Sequence, residues 1–211
     1  ATSDYDIAAD SDLSAYPLSM DTDVDMLTQT VYDNQGRVKE TIDVNNRVTR
    51  MIYDGMNRQV MTIANYVAQA TEPENWEWVS TQWEDGSSTA INHGTGYDQN
   101  IISQTIYDSD GRVESTRNVQ GLISRNAYDS AGRSYLSVQN YVEQGNPVVL
   151  PDEWEWDATD KRYEEGSGNA IDHGTDKDQN IISETVYNQA GQVVTTRDAF
   201  GTHILFGTLG N

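Results

Sequence analysis

The chain has 211 residues and carries 34 acidic side chains against 13 basic ones, a formal charge of −21. That charge repels nucleic acid and anionic lipid, so neither is an expected partner; divalent cations or a protein with a basic face are the natural counterparts. Cysteine is absent, which excludes disulfides and thiolate metal sites, and no apolar run approaches the roughly 20 residues of a membrane span. No membrane insertion is expected.

The chain opens "ATSDYDIAADSD", small and polar, without a charged-then-apolar leader. This suits a mature end left by signal-peptide removal, and hence an extracellular or cell-surface location. Residues 1–24 are expected to form an extended N-terminal segment, in which "YDIAAD" and "SAYPLSM" could add as a strand to a neighbouring sheet edge. The stretch "DTDVD" places Asp21, Asp23 and Asp25 at alternate positions, and a later "DSDG" adds Asp108 and Asp110. Alternating carboxylates resemble the start of a calcium loop, although neither stretch supplies the whole loop or its closing Glu. Solvated acidic surface is therefore the leading reading, weak calcium binding the second, and no cofactor is required.

From residue 25 the chain repeats itself. "TVYDNQGRV" (30–38) returns as "TIYDSDGRV" (105–113) and "TVYNQAGQV" (185–193), with Tyr32, Tyr107 and Tyr187 spaced 75 and then 80 residues apart. Unit 1 is read as 25–100, unit 2 as 101–180, and a truncated third unit as 181–211. Inside each unit the Tyr-Asp pair recurs 21 residues on, at Tyr53 and Tyr128, with a second turn between, "VNN" at 44–46 and "VQG" at 119–121. The flanking segments alternate apolar and polar residues and are rich in Thr, Val, Ile and Tyr, as half-buried strands are. In Asp-x-x-Gly the carboxylate accepts bonds from nearby backbone N–H groups, and the Gly takes the positive φ that follows a type I turn. Asn46 and Asn57 stand where Gly121 and Gly132 stand later, and Asn is the next residue to tolerate that conformation.

This accounts for Tyr32, Asp33, Gly36, Arg37, Tyr53, Asp54, Tyr107, Asp108, Gly111, Arg112, Tyr128, Asp129, Gly132 and Arg133 as a structural turn motif. Its arginines are expected to pair with carboxylates or carbonyls on adjacent strands. No catalytic residue is assigned.

Between the paired hairpins lie inserts. "NYVAQATEPENWEW" (65–78) answers "NYVEQGNPVVLPDEWEW" (140–156), and "AINHGTGYDQN" (90–100) answers "AIDHGTDKDQN" (170–180). Trp76 and Trp78 alternate, as do Trp154 and Trp156, so each pair shares a strand face; Trp83 and Tyr163 return on the opposite arm. Such rings can roof a thin core, form a subunit contact or stack on a glycan. His93 and His173 hold equivalent "HGT" places and read as turn residues.

The stretch "YDSDGRV…VQGLISRNAYDSAGR" (107–133) resembles the YD or RHS repeat of bacterial surface and toxin-complex proteins and of animal teneurins. The likeness covers 27–58 and 102–133, and more weakly 182–206, with Arg50 and Arg125 at the family's position before the second Tyr-Asp. The resemblance implies strands of a long spiralling sheet that sometimes closes into a hollow shell. The chain departs from it in its inserts, in Asn188 and Gln192 for Asp and Arg, and in "LFG" (205–207) for the last Tyr-Asp, so a closed cocoon from this chain alone is not expected.

The fold expected is all-β: an antiparallel hairpin meander of tandem YD repeats forming an elongated twisted sheet or solenoid-like stack, with Trp-bearing hairpin inserts. The function expected is that of a non-enzymatic extracellular structural protein, joined to copies of itself head-to-tail by strand addition into a filament or surface layer. The alternative is a fragment of a YD-repeat adhesin holding glycans or a protein partner on its Trp hairpins. A piece of a toxin-encapsulating RHS shell is third.

Overall fold

The computed structural model describes residues 27–205, apart from the side chain of His203. The segment 1–24 expected as an assembly strand, with Asp21, Asp23 and Asp25, lies outside the described residues.

The described chain is all-β. Its strands are β1 (Gln29–Tyr32), β2 (Val38–Ile42), β3 (Val48–Tyr53), β4 (Gln59–Ala64), β5 (Glu77–Val79), β6 (Gln82–Glu84), β7 (Ile101–Tyr107) and β8 (Val113–Arg117). They continue with β9 (Ile123–Tyr128), β10 (Ser134–Gln139), β11 (Glu155–Asp157), β12 (Arg162–Glu164), β13 (Ile181–Tyr187), β14 (Val193–Asp198) and β15 (His203–Leu205). Eleven of them form one antiparallel sheet in the order β1-β2-β3-β4-β7-β8-β9-β10-β13-β14-β15. The other four make two separate hairpins, β5-β6 and β11-β12, one per insert. The sheet is therefore a plain meander into which each insert is spliced between adjacent strands. It is not closed into a barrel: β1 and β15 are both edges.

One turn builds nearly every connection. At Asp33 the Gly36 N–H donates to the Asp33 carbonyl at 3.0 Å and the Asp33 N–H to the Arg37 carbonyl at 2.9 Å, with Gly36 at φ 78°. Asp54, Asp108, Asp129 and Asn188 repeat this pattern at the Tyr end of the sheet, and Asp43, Asn118 and Asp198 repeat it at the other end. Each Tyr-headed strand shifts register by one residue beside its tyrosine, as between Val31 and Tyr32 or Ile106 and Tyr107. That bulge accommodates the extra turn residue and adds twist.

Period-two alternation separates the faces. One carries Ile52, Met61, Ile63 and Ile102, then Ala127, Leu136, Val138 and Ile182, all buried. The inserts cover this face and make two cores, one around Trp76 and Trp83, the other around Trp154 and Tyr163. The second core runs from Ala127 to Ala199, so it straddles the 180/181 boundary read from the repeats. The opposite face is hydroxyl-rich: Thr30 opposes Thr41 and Thr41 opposes Thr49; Thr105 opposes Thr116 and Thr116 opposes Ser124; Thr185 opposes Thr196.

Candidate functional site

The repeated Tyr-Asp-x-x-Gly-Arg residues form one continuous structure. Asp33 Oδ1 accepts from the N–H groups of Gln35 and Arg37, both at 2.9 Å, and its Oδ2 accepts from Arg37 Nε at 2.6 Å. Asp54, Asp108 and Asp129 do the same for Arg58, Arg112 and Arg133. These bonds hold the carboxyls below the ordinary Asp range: the Arg58 N–H acts first at Asp54, and the Arg133 guanidinium at Asp129. At Asp33 and Asp108 partial burial pushes upward, and the backbone and side-chain donors of the following arginine outweigh it.

The anchored guanidinium then lies flat on the next tyrosine along the sheet. Arg37 sits 4.6 Å over Tyr53, Arg58 4.4 Å over Tyr107, Arg112 4.6 Å over Tyr128 and Arg133 4.4 Å over Tyr187. Each tyrosine hydroxyl donates to the carbonyl just after that arginine: Tyr53 to Val38 at 2.9 Å, Tyr107 to Gln59 at 3.0 Å, Tyr128 to Val113 at 2.8 Å and Tyr187 to Ser134 at 3.0 Å. The result is a four-rung ladder along one end of the sheet, crossing both inserts without a break. The arginines were expected to pair with carboxylates or carbonyls on adjacent strands; each instead takes its own turn's aspartate, four residues back, because the tight turn brings them together. The neighbouring strand contributes the aromatic face. Arg58 and Tyr187 are rung members that the motif reading left out, although Arg58 is marked by its place four residues after Asp54.

Arg50 and Arg125 lie on the insert-covered face, opposite Ile63 and Val138. Arg50 is buried and pairs with Glu40 at 2.5 Å and Glu72 at 3.0 Å; Arg125 pairs with Glu114. They lie over Tyr66 and Tyr141 at 5.5 and 5.4 Å, tying the insert to the sheet.

The tryptophans are largely enclosed. Trp76 and Trp154 are 4 % and 3 % exposed, Trp83 and Tyr163 1 % each. Trp83 Nε1 donates to the Asn118 carbonyl at 3.4 Å, and the Trp78 ring covers Gly121, where a Cβ would lie 2.1 Å from it. Trp156 covers Gly201 in the same way, at 2.4 Å. Each insert thus clamps the second turn of the following unit. Of these six rings, left open by the sequence as core roof, subunit contact or glycan platform, four are buried inside the chain, and Trp78 and Trp156 have one face against a glycine turn. Asn100 and Asn180, both fully buried, close the inserts. Asn100 Oδ1 accepts from the Val67 N–H and its Nδ2 donates to the Asn92 carbonyl, each at 2.9 Å; Asn180 repeats this with Val142 and Asp172. The duplicated "DQN" was their sequence signal. His93 and His173 place Nδ1 3.0 Å from the carbonyls of Asn100 and Asn180, as turn residues would.

Asp108 and Asp110 do not converge on an open centre; Arg112 bonds Asp108 Oδ2 at 2.7 Å and Asp110 Oδ2 at 2.9 Å. The acids that do converge are Asp157, Asp160 and Glu164, within 4.8 Å of one another, and Arg162 already reaches Asp160 at 3.1 Å and Glu164 at 2.7 Å. On the hydroxyl face two equivalent open hollows of about 260 and 320 Å³ hold Thr116 and Ser124, and Thr41 and Thr49. Among the described residues no helix is long and apolar enough to cross a membrane.

No family model matches the chain, and no curated protein matches it. Among solved structures it is similar to a crystallised complex of TcdB2, TccC3 and Cdc42, at 15 % identity and a TM-score of 0.18, covering 81 % of this chain and 11 % of that one. It is likewise similar to the Photorhabdus luminescens Tc holotoxin pore, at 13 % identity and a TM-score of 0.20, covering 81 % of this chain and 10 % of that one. The chain thus spans about a tenth of the length of the Tc toxin chains to which it is similar.

Proposed function

We propose that this chain is a non-enzymatic, extracellular structural module whose sheet grows by strand addition, joining copies head-to-tail into a filament or surface layer. The observation that carries the reading is the open meander, in which β1 and β15 have no outer neighbour among the described residues. Unprotected edges invite pairing, and Ile204 and Leu205 on β15 are 63 % and 71 % exposed. The motif residues support a structural role, because turn, salt bridge and ladder occupy their functional groups.

The strand count constrains the joint. In an antiparallel sheet of eleven strands the two edges run in the same direction, so copies related head-to-tail would meet in parallel. One interposed strand restores the alternation, and segment 1–24 is the candidate donor. The net charge of −21 keeps such assemblies solvated and makes their lateral bundling depend on divalent cations such as calcium.

The test is negative-stain electron microscopy of the chain with calcium and with chelator. Regular filaments or rings that disappear on deletion of 1–24 are the expected result. Monodisperse particles in both conditions would overturn self-assembly and favour the reading as a piece of a longer YD-repeat shell, in which both edges are internal.

A further inference from the structure

The ladder has five tyrosines in register and only four arginines over them. Tyr32 ends β1 as Tyr53, Tyr107, Tyr128 and Tyr187 end their strands, yet it is 61 % exposed, and among the described residues neither a cation nor a hydroxyl acceptor meets it. The other four are all half-buried. Residues 1–36 contain no Lys, Arg or His, and they include eight aspartates. The first cation, Arg37, is already committed to Asp33 and to Tyr53.

The geometry points to an occupant of definite chemistry: we propose that Tyr32 and the outer edge of β1 dock a β-strand from a second polypeptide that begins with an arginine. This rests on the reading that the sheet grows by strand addition, and it assigns the strand interposed beside β1 to a second polypeptide in place of segment 1–24. The four internal rungs define the recognition rule. Met61 opposes Gln104, so the register carried three residues back sets Arg58 opposite Tyr107; Leu136 opposite Glu184 likewise sets Arg133 opposite Tyr187. Applied to β1, the incoming arginine lies opposite Tyr32, and the residue three further on lies opposite Gln29. The Tyr32 hydroxyl then donates to the carbonyl just after that arginine.

The other edge of the sheet argues against a second copy of this chain as the occupant. Its edge strand is β15 (His203–Leu205), which carries no arginine and so offers no guanidinium. The acidity of residues 1–36 selects in the same sense, for a cationic strand.

The probe is a labelled peptide with the sequence of residues 54–64, "DGMNRQVMTIA", which includes the strand that lies on Tyr107 within the fold. It is titrated against the whole chain below any assembly concentration, with hydrogen exchange followed at Gln29–Tyr32. The expected result is saturable binding with new protection of β1, weakened about five- to tenfold by R58Q in the peptide, the range of a partly desolvated cation–π contact. Tyr32→Ala in the chain should cost the same factor, and R58Q should then cost nothing more. Among the described residues the Tyr32 side chain makes no hydrogen bond and no ring or cation contact, so that variant keeps its fold, which circular dichroism verifies; the exposed Tyr97→Ala serves as control. Equal binding of native and R58Q peptides, or no binding of either, overturns the proposal. Filaments formed while the peptide binds without regard to Arg58 would leave sheet extension standing and remove this partner. Arginine-dependent binding without filaments would do the reverse.

Discussion

The two inserts are near copies, and the place where they differ shows how a buried charge is handled. In the second, Glu184 accepts from the Tyr163 hydroxyl at 2.9 Å and from Arg197 Nη1 at 2.6 Å, while Arg197 lies 4.9 Å over Trp156. In the first, Gln104 replaces the glutamate, Trp83 replaces the tyrosine, and the equivalent Arg117 is only 3.5 Å from Gln104 and 5.9 Å over Trp78. Its Nε finds no acceptor among the described residues, and burial pushes the guanidinium pKa down with no carboxylate to offset it. Burial pushes the Tyr163 hydroxyl upward, and the negative charge of Glu184 adds to it. The two changes travel together because a phenol hydroxyl and a carboxylate satisfy each other, whereas an indole needs neither.

The largest effect is expected where insert meets turn. Gly121→Ala forces a Cβ into the Trp78 ring at a residue with φ 81°, and Gly201→Ala does the same against Trp156 at φ 77°. Each should cost about 2–4 kcal/mol in chemical unfolding, overpacking added to left-handed strain. Asn46, at φ 61°, is the equivalent turn position with no insert over it, and Asn46→Ala, which adds left-handed strain without a ring to clash with, should cost only about 1 kcal/mol. Equal losses at Gly121 and Asn46 would show that backbone conformation, not the tryptophan, demands the glycine.

Next comes the charge network. Glu184→Gln leaves Arg197 partly buried without a counter-ion and should destabilise by about 2 kcal/mol, whereas Gln104→Ala should stay within about 0.5 kcal/mol. Transplanting the second insert's solution, Trp83→Tyr with Gln104→Glu, should recover about 1 kcal/mol over Gln104→Glu alone if the hydroxyl and carboxylate act as a unit. A double-mutant cycle measures it.

The smallest effect is at low pH. The carboxyls of Asp33, Asp54, Asp108 and Asp129 all have folded pKa values depressed below 3.8. Their contribution is complete at neutral pH and is lost as pH falls below about 4 and through the depressed values. The β13-β14 turn carries Asn188 instead and has no such proton to take up. Amide exchange in acid should therefore rise at the four Asp turns before the Asn188 turn; a uniform rise would remove the turn carboxylates as the cause.

Much of the fold was legible because it is local. An Asp side chain bonding N–H groups two and four residues on, and a residue with positive φ at the fourth turn position, need nothing beyond the hairpin itself. The inserts were less legible. Trp76, Trp83 and Trp154 mark a hairpin in any context, but whether their faces meet sugar, a subunit or a glycine turn depends on where that hairpin folds over. Asn100 and Asn180 were passed over although "DQN" occurs twice, because an asparagine before a strand looks like any loop residue until its amide is seen buried between two backbones.

The sequence by itself determined the repeat, the all-β meander, the turn at each Tyr-Asp and the charge that shapes partner choice, since each depends on composition or on residues a few positions apart. Only the tertiary structure decided that an arginine from one hairpin stacks on the tyrosine of the next, that glycine is required under Trp78 and Trp156, and that Tyr32 meets no arginine among the described residues. Those are contacts across strands, and the register that makes them is set by pairing between segments far apart in the chain.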